Sequence, residues 1–520
     1  MLFNSFEFLL FFLPTTLALF FLSARYFGNE AAIGLLVLCS LGFYSWWNPI
    51  YLLLILFSMA FNFQVGKRLG QRSHKGLLAF GITVNLGLLA YYKYANFFVS
   101  NVSSLLATHW SLGDILLPLA ISFFTFQQIA YLVDSHRGIT REYRFLHYAL
   151  FVSFFPQLIA GPIVHHRDML PQFMRTTPFC LKPNHFAIGL SIFAIGLFKK
   201  TVLADGIASY ANPVFNAADS GQTVDFFTAW GGALAYSFQL YFDFSGYSDM
   251  AIGLARMFGI VLPLNFYSPY KAASISEFWR RWHITLSHFL RDYVYIALGG
   301  NRRGRTRRFA NLMTTMLLGG LWHGAGWNFI IWGGLHGLYL ILHQMWQALL
   351  SKLSLSPSGS AYSALAWLMT MLCVVVGWVF FRATTFEGAI GLLQSMIGLH
   401  GFTLPQGIMA RLGDVGVLLQ SLGMEVAFGG GQVFVLTWLW IMALLIIVLV
   451  MPNVQDMFNW VRCSLRNQHF DTTDSVWPML SRVRKLQWKA SMGWATAGAA
   501  CLALGFLTLF QVSEFLYFQF

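Results

Sequence analysis

Long apolar segments recur from one end of this 520-residue chain to the other. Most runs are about 17–23 residues long, which is enough for an α-helix to cross about 30 Å of hydrocarbon. Only 10% of the residues are charged and 57% are hydrophobic, whereas a soluble domain carries about 25% charged residues. This composition excludes a soluble enzyme and a disordered chain. Because runs such as 52–59 do not alternate apolar and polar side chains, as barrel strands do, we predict an all-α polytopic membrane protein.

The spacing of the apolar runs predicts about eleven transmembrane helices, together with re-entrant or interfacial helices. Three runs contain residues that bend or break helices: Pro156, Gly161-Pro162 and Gly246. Three stretches are polar: 351–361, 399–432 and 452–490. None of these stretches is long enough to build a core of its own. We therefore predict a single membrane-embedded domain over residues 1–520, with its motifs concentrated in a core at 240–345.

Loops rich in lysine and arginine predict which side of the membrane each segment faces. One loop has four basic residues and no acid: Lys67, Arg68, Arg72 and Lys75. The segment 462–489 has six: Arg462, Arg466, Arg482, Arg484, Lys485 and Lys489. We place both segments in the cytoplasm, so that a final span after the polar segment 452–490 leaves both termini on the opposite side. The same bias explains the net charge of +13, and we predict no nucleic-acid partner.

The first polar motif lies in the apolar run around Asp243, Ser245 and Asp249. Ionisable residues within a membrane are costly and mark candidate functional sites. Two aspartates six residues apart on one helix point to different sides, so a continuous helix would expose one of them to lipid. We therefore expect a break at Ser245-Gly246, whose freed backbone groups the polar side chains satisfy. The alternative to a role in the site is that these residues shape a bent helix.

The second motif runs from Glu277 to Asp292 and is too charged to span a membrane. Glu277 and Arg281, like His288 and Asp292, have the i,i+4 spacing of ion pairs along one helix. One interpretation is an amphipathic helix in the membrane interface. That interpretation does not explain why His283 is flanked by two pairs of tryptophan and arginine. A place for His283 in a functional site therefore remains the second interpretation.

The third motif surrounds His323, which lies in a strongly apolar run between glycines and tryptophans. Glycines allow a second backbone or an extended substrate to approach closely. The rings of Trp322 and Trp327 favour a narrow tunnel, in which a neutral imidazole suits a general base. His336, thirteen residues further on, is predicted to cap or orient its neighbours. The chain contains no serine-hydrolase elbow, nucleotide-binding loop or zinc motif, so those enzyme classes receive no support.

Several motifs in this order resemble the membrane-bound O-acyltransferase family. Trp-Arg-Arg-Trp-His283 and, forty residues later, Leu-Trp-His323-Gly resemble the paired histidine motifs of that family. Three further stretches are similar to the members that acetylate exported bacterial polysaccharides such as alginate: Phe155 to Pro162, Tyr241 to Gly253 and Arg291 to Asn301. The resemblance extends from Phe3 to Asn453, and the long polar segment 452–490 departs from it.

The resemblance implies a ring of helices around a central tunnel, in which a cytoplasmic thioester funnel meets an outer opening. It implies that His323 is catalytic and that His283 lines the same tunnel. We assign tunnel-shaping or substrate-binding roles to a larger set: Trp322, Asn328, Asp243, Ser245, Asp249, Arg280, Arg281 and His336. The resemblance further implies acetyl-CoA as the donor, no bound cofactor or metal, and a place in the bacterial inner membrane with periplasmic termini. It also implies SGNH-like periplasmic acetyltransferase partners within a polysaccharide secretion system.

Five arginines follow Gly299-Gly300-Asn301 within seven residues: Arg302, Arg303, Arg305, Arg307 and Arg308. One interpretation is a membrane anchor that contacts anionic headgroups. The other is that Arg303, Arg305 and Arg307 border the cytoplasmic funnel and bind the phosphates of coenzyme A, which suit guanidinium groups.

Two functions from other classes compete with acyl transfer. A transporter or flippase without covalent chemistry would use Asp243, Asp249 and His323 as a proton relay. A scaffold would only anchor periplasmic partners.

Overall fold

The computed structural model describes residues 1–113, 115–140, 144–429, 431–458, 464–465, 486–510 and 516. The helices of the first half are α1 (Leu13–Phe27), α2 (Asn29–Ser45), α3 (Ile50–Gln71), α4 (Lys75–Leu89), α5 (Ala95–Leu105), α6 (Ile121–His136), α7 (Phe145–Ser153), α8 (Phe155–Leu158), α9 (His166–Phe173), α10 (Pro183–Phe198), α11 (Asp205–Asp219) and α12 (Phe226–Met257). Those of the second half are α13 (Ile275–Arg281), α14 (Ile284–Phe289), α15 (Gly304–His323), α16 (Trp327–Lys352), α17 (Ser360–Arg382), α18 (Phe386–Met396), α19 (Gln406–Leu412), α20 (Asp414–Ser421), α21 (Gly431–Val450), α22 (Val454–Met457) and α23 (Met492–Leu507).

Short irregular elements join some of these helices. Four are π-helical, Glu7–Phe12, Ala90–Tyr94, Lys199–Ala204 and Leu290–Tyr295, and one is a 3₁₀ turn, Pro269–Lys271. Two three-residue strands, β1 (Thr403–Pro405) and β2 (Glu425–Ala427), pair in parallel. The polar segment 452–490 is described only in part, because 459–463 and 466–485, which carry most of its basic residues, lie outside the described residues.

Six helices of the described chain are long and apolar enough to cross a membrane: Glu7–Phe27, Ile50–Gln71, Lys75–Leu105, Pro183–Asp219, Ser360–Arg382 and Gly431–Val450. Helices α2 and α23 are apolar but shorter. The predicted class, an all-α polytopic membrane protein, is confirmed. The number of eleven spans, the ring around a tunnel and the single domain stay predictions.

Helix α12 lies at the centre of the protein, with α10, α11, α17, α18 and α21 packed around it. Every residue from Ala235 to Ala255 is buried. The predicted break at Ser245-Gly246 is wrong, because α12 continues without interruption from Phe226 to Met257. A helix that is covered by protein on all sides can carry carboxylates on different faces without exposing either to lipid.

Gly246 packs two helices together instead of breaking one. A Cβ atom at Gly246 would lie 2.7 Å from the carbonyl oxygen of Gly196 on α10, and one at Gly253 would lie 2.6 Å from that of Gly189. These distances are shorter than real Cβ contacts. Small residues at a helix crossing allow backbones to approach closely within a membrane. The glycines therefore hold α10 directly against α12.

The motif from Glu277 to Asp292 is also not one helix. Helix α13 ends at Arg281, His283 has a φ of 42°, and α14 begins at the next residue. The predicted pair of Glu277 and Arg281 is present at 2.7 Å. Asp292 lies 2.7 Å from the guanidinium of Arg291. His288 is on α14 and Asp292 is on the π-helical turn that directly follows it, and their pairing stays a prediction.

Candidate active site

His323 is the last residue of α15, and its side chain is buried among aromatic rings. The centroid of its ring lies 4.9 Å from Trp322, 5.0 Å from Trp332, 5.1 Å from Phe381 and 6.4 Å from His283. The two motif histidines, forty residues apart in the chain, are therefore brought to the same buried place. The aromatic walls exclude bulk water, which strengthens the electrostatic interactions formed inside.

His283 occupies the junction between α13 and α14 in a left-handed backbone conformation. Such a conformation is strained in a residue other than glycine and persists only where the surroundings enforce it. The enforcing contacts come from the loop after α12, where the backbone carbonyl of Asn265 accepts from Ile284 at 2.9 Å. The amide of Tyr267 likewise donates to Arg281 at 2.9 Å. Strained residues of this kind cluster at active sites.

The side chain of Asn265 determines which nitrogen of His283 carries a proton. Its Oδ1 accepts from the backbone amide of Thr285 at 3.3 Å and from the Thr285 hydroxyl at 2.9 Å. The same oxygen lies 3.1 Å from Nδ1 of His283. Because this oxygen can only accept, Nδ1 must donate. The Nε2 atom is buried without a hydrogen-bond partner among the described residues, so its lone pair can accept a hydrogen bond from a substrate. Asn265 could not be predicted from the sequence, because no local signal connects it to His283.

The glycines of the third motif pack two helices against each other. A Cβ atom at Gly320 would overlap the carbonyl of Phe329, and one at Gly333 would overlap that of Met316. The close contact of α15 and α16 therefore explains Gly320 and Gly333. Trp327, which was also expected to line a tunnel, is 58% exposed, and its Nε1 atom donates to Oδ1 of Asn101 at 2.9 Å. Trp322 is buried and stacks on Phe126 at 5.2 Å.

His336 and Asn328 support the same region from α16. Trp332 packs against both His323 and His336, with its ring centroid 5.0 Å from each of the two imidazole centroids. The Nε1 atom of Trp279 donates to Nδ1 of His336 at 3.3 Å, which agrees with an orienting role. Asn328 donates to the carbonyls that follow α17, at 2.8 Å and 3.0 Å.

The arginines predicted for the site differ in their burial and in their contacts. Arg281 is buried, pairs with Glu277 and donates to the carbonyl of Tyr267 at 3.3 Å, so it fixes the loop that carries His283. Arg280 is exposed, and the structure does not bring it into the buried group. Three further arginines are exposed at the start of α15: Arg303, Arg305 and Arg307. At 1.5 Å per residue, Arg305 lies about 27 Å along the helix from His323.

Asp243 and Asp249 form buried ion pairs that connect α12 to the π-helical turn Lys199–Ala204, which follows α10. Lys200 lies 2.7 Å from Asp243 and 2.7 Å from Asp205. Lys199 lies 2.8 Å from Asp249. Ser245 is buried on the same stretch of α12. The two lysines were not predicted as site residues, although they are visible in the sequence as charges within an apolar run.

Comparison with known proteins decides the family. The family model described as the membrane-bound O-acyltransferase family matches residues 135–383. The peptidoglycan O-acetyltransferase of Helicobacter pylori is 45% identical over 434 residues, which cover 78% of this chain and 81% of that protein. The chain belongs to the membrane-bound O-acyltransferase family. It is therefore a multi-pass membrane O-acyltransferase, and the resemblance inferred from its motifs is confirmed.

Other members of the family differ in the substrates that their names give. The probable alginate O-acetylase AlgI of Pseudomonas aeruginosa is 42% identical over 446 residues, which cover 84% of this chain and 82% of that protein. The teichoic acid D-alanyltransferase of Streptococcus thermophilus is 30% identical over 237 residues, which cover 44% of this chain and 57% of that protein. Of the residues predicted for a transporter's relay, Asp243 and Asp249 each form an ion pair with a lysine.

Proposed function

We propose that this O-acyltransferase moves an acetyl group from acetyl-CoA, bound from the cytoplasm, to an exported polysaccharide. The acetyl group passes to the glycan directly or through an SGNH-like periplasmic partner acetyltransferase. The buried pair of His283 and His323, with centroids 6.4 Å apart, carries this proposal, because it offers nitrogen bases within a dry aromatic site. Two relatives are named as a peptidoglycan O-acetyltransferase and a probable alginate O-acetylase. Their names support acetyl as the transferred group and a glycan as the acceptor.

In this mechanism His323 accepts the proton of the acceptor hydroxyl as its oxygen attacks the thioester carbonyl. The carbon–oxygen bond forms, the carbon–sulfur bond breaks, and the imidazolium returns the proton to the leaving thiolate. The products are an acetyl ester and the free thiol of coenzyme A. His283, held by Asn265, orients the acceptor through its Nε2 lone pair. Trp322 and Asn328 shape the site, and His336 orients it through Trp332.

The proposed place of the protein is the bacterial inner membrane, with both termini in the periplasm. The segment from Lys67 to Lys75, where α3 ends and α4 begins, is rich in basic residues and lacks acids, which favours a cytoplasmic location. An odd number of spans then separates this segment from each terminus. The relatives named above are bacterial proteins.

The proposed function is tested with the full chain in liposomes and acetyl-CoA labelled in the acetyl group. We expect release of the coenzyme A thiol and alkali-labile label on alginate or peptidoglycan fragments. The label is measured with and without a periplasmic extract that supplies partner proteins. Intact acetyl-CoA in every reaction would contradict acetyl-CoA as the donor, whereas thiol release without label on any glycan would contradict the acceptor.

The arginine cluster at the start of α15 is proposed to bind the phosphates of acetyl-CoA. Changing Arg303, Arg305 and Arg307 to glutamine should raise KM for acetyl-CoA, because a hydrogen bond to a charged group is worth about 1.5–3 kcal/mol. Each lost phosphate contact then raises KM by about 10- to 100-fold, with kcat and membrane insertion unchanged. Arg411→Gln, a change at another exposed arginine, is the control. An unchanged KM, or a defect in insertion alone, would leave the arginines as a membrane anchor.

A further inference from the structure

The end of α15, where His323 is located, is held by side chains from a different helix. The last four carbonyls of an α-helix lack partners within the helix and need donors from elsewhere. The hydroxyl of Tyr94 donates to the carbonyl of Leu321 at 2.8 Å. The ammonium of Lys93 donates to the carbonyl of Trp322 at 2.6 Å and to that of His323 at 3.1 Å. Two adjacent residues therefore satisfy the last three carbonyls of this helix.

A local irregularity explains why adjacent residues reach the same helix end. The span Lys75–Leu105 is interrupted by the π-helical turn Ala90–Tyr94. A π-bulge accommodates an extra residue in the turn, and such bulges occur frequently at functional sites. In this chain the π-helical turn presents Lys93 and Tyr94 to the end of α15 together.

The ammonium of Lys93 contacts the carbonyl end of α15. Among the described residues no carboxylate forms an ion pair with Lys93, and its other polar neighbour is the Ser122 hydroxyl at 3.5 Å. The C-terminal end of a helix carries a partial negative charge that a cation stabilises. The ammonium also lies 5.9 Å from the centroid of the Trp322 ring, within the range of a cation–π interaction. An ionisable residue in an apolar span is costly and marks a functional position.

We propose that Lys93, assisted by Tyr94, is a positioning residue of the transfer reaction. It fixes the peptide groups of Trp322 and His323, so that the imidazole stays between Trp332 and His283. Without these contacts the last turn of α15 loses its partners and His323 moves away from the reacting oxygen. This inference rests on the proposed function of His323 as the general base.

The test compares Lys93→Met, Lys93→Arg and Tyr94→Phe in the liposome assay with acetyl-CoA. A displacement of about 1 Å in a catalytic group costs about 10²-fold in rate. We therefore expect Lys93→Met to lower kcat by about 10²-fold with KM for acetyl-CoA unchanged. Lys93→Arg keeps a cation and several donors and should recover part of the loss. Tyr94→Phe, which removes one donor, should lower kcat by less than Lys93→Met does.

Controls separate this inference from the proposed function and from misfolding. Lys352→Met, at an exposed lysine, should have the kcat of the parent protein. If the parent protein cleaves acetyl-CoA and Lys93→Met keeps its kcat, positioning by Lys93 is refuted while the proposed function stands. If the parent protein does not cleave acetyl-CoA, the proposed donor is refuted, and the same variants are compared by polysaccharide acetylation in cells. If Lys93→Met does not accumulate in the membrane, Tyr94→Phe decides, and an unchanged rate in that variant overturns the proposal.

Discussion

Replacing His323 by alanine should abolish acyl transfer while the protein remains inserted and folded. A positioned general base contributes about 10²–10⁴-fold in rate, and the thioester-cleavage assay is expected to lose activity by that factor. His323→Gln, which retains more of the side-chain volume, should be equally inactive, because an amide cannot take up the proton. The exposed His109→Ala serves as the matched control.

The same variant also distinguishes catalysis from scaffolding. A catalytic His323 predicts that His323→Ala still recruits the periplasmic partner proteins but no longer supports acetylation of the polysaccharide in cells. Retained acetylation would rule out His323 as the essential base. Loss of partner recruitment together with acetylation would indicate a role of this residue in assembly.

Removing the charge of Lys200 should have the largest effect on stability. The side chains of Lys200 and Asp243 are only 1% and 2% exposed, and Lys200 also pairs with Asp205. Breaking a buried ion pair by removing one partner costs about 3–5 kcal/mol, because the other charge is left without compensation. We expect Lys200→Met to lower the free energy of unfolding by about that amount in a denaturant titration in detergent.

A double variant tests whether the cost arises from the unpaired carboxylate. Lys200→Met combined with Asp243→Asn removes one of the two stranded charges and should recover part of the lost stability. Lys352→Met changes an exposed lysine and should alter stability by less than about 0.5 kcal/mol. A double variant no more stable than Lys200→Met would contradict a direct coupling of Lys200 to Asp243.

The apolar pattern predicted the membrane class because length and hydropathy are local properties of a sequence. The role of Gly246 could not be predicted from its neighbours in the sequence. A glycine in an apolar run is typical both of a bend and of a close helix crossing, and only the position of Gly196 on another helix distinguishes them. For this reason the break in α12 was predicted and the continuous helix was not.

The site was predicted to the extent that its residues form motifs. His283 and His323 were selected from their surroundings in the chain, and the structure brings their rings together. Asn265 and Lys93 were missed because their significance depends on partners elsewhere in the sequence. Lys93 lies 229 residues from the tryptophan whose carbonyl it binds.

Helix α15 has a consequence for the choice of donor. It carries the exposed arginines at one end and His323 at the other, about 27 Å apart at 1.5 Å per residue. A donor that engages both ends must place its anionic groups and its reactive carbonyl at opposite ends of an extended molecule. Acetyl phosphate and truncated thioesters are too short to do so. If the arginines bind the donor as proposed, the helix would therefore act as a gauge of molecular length. Such a gauge would keep short, reactive acetyl compounds of the cytoplasm from being used as donors.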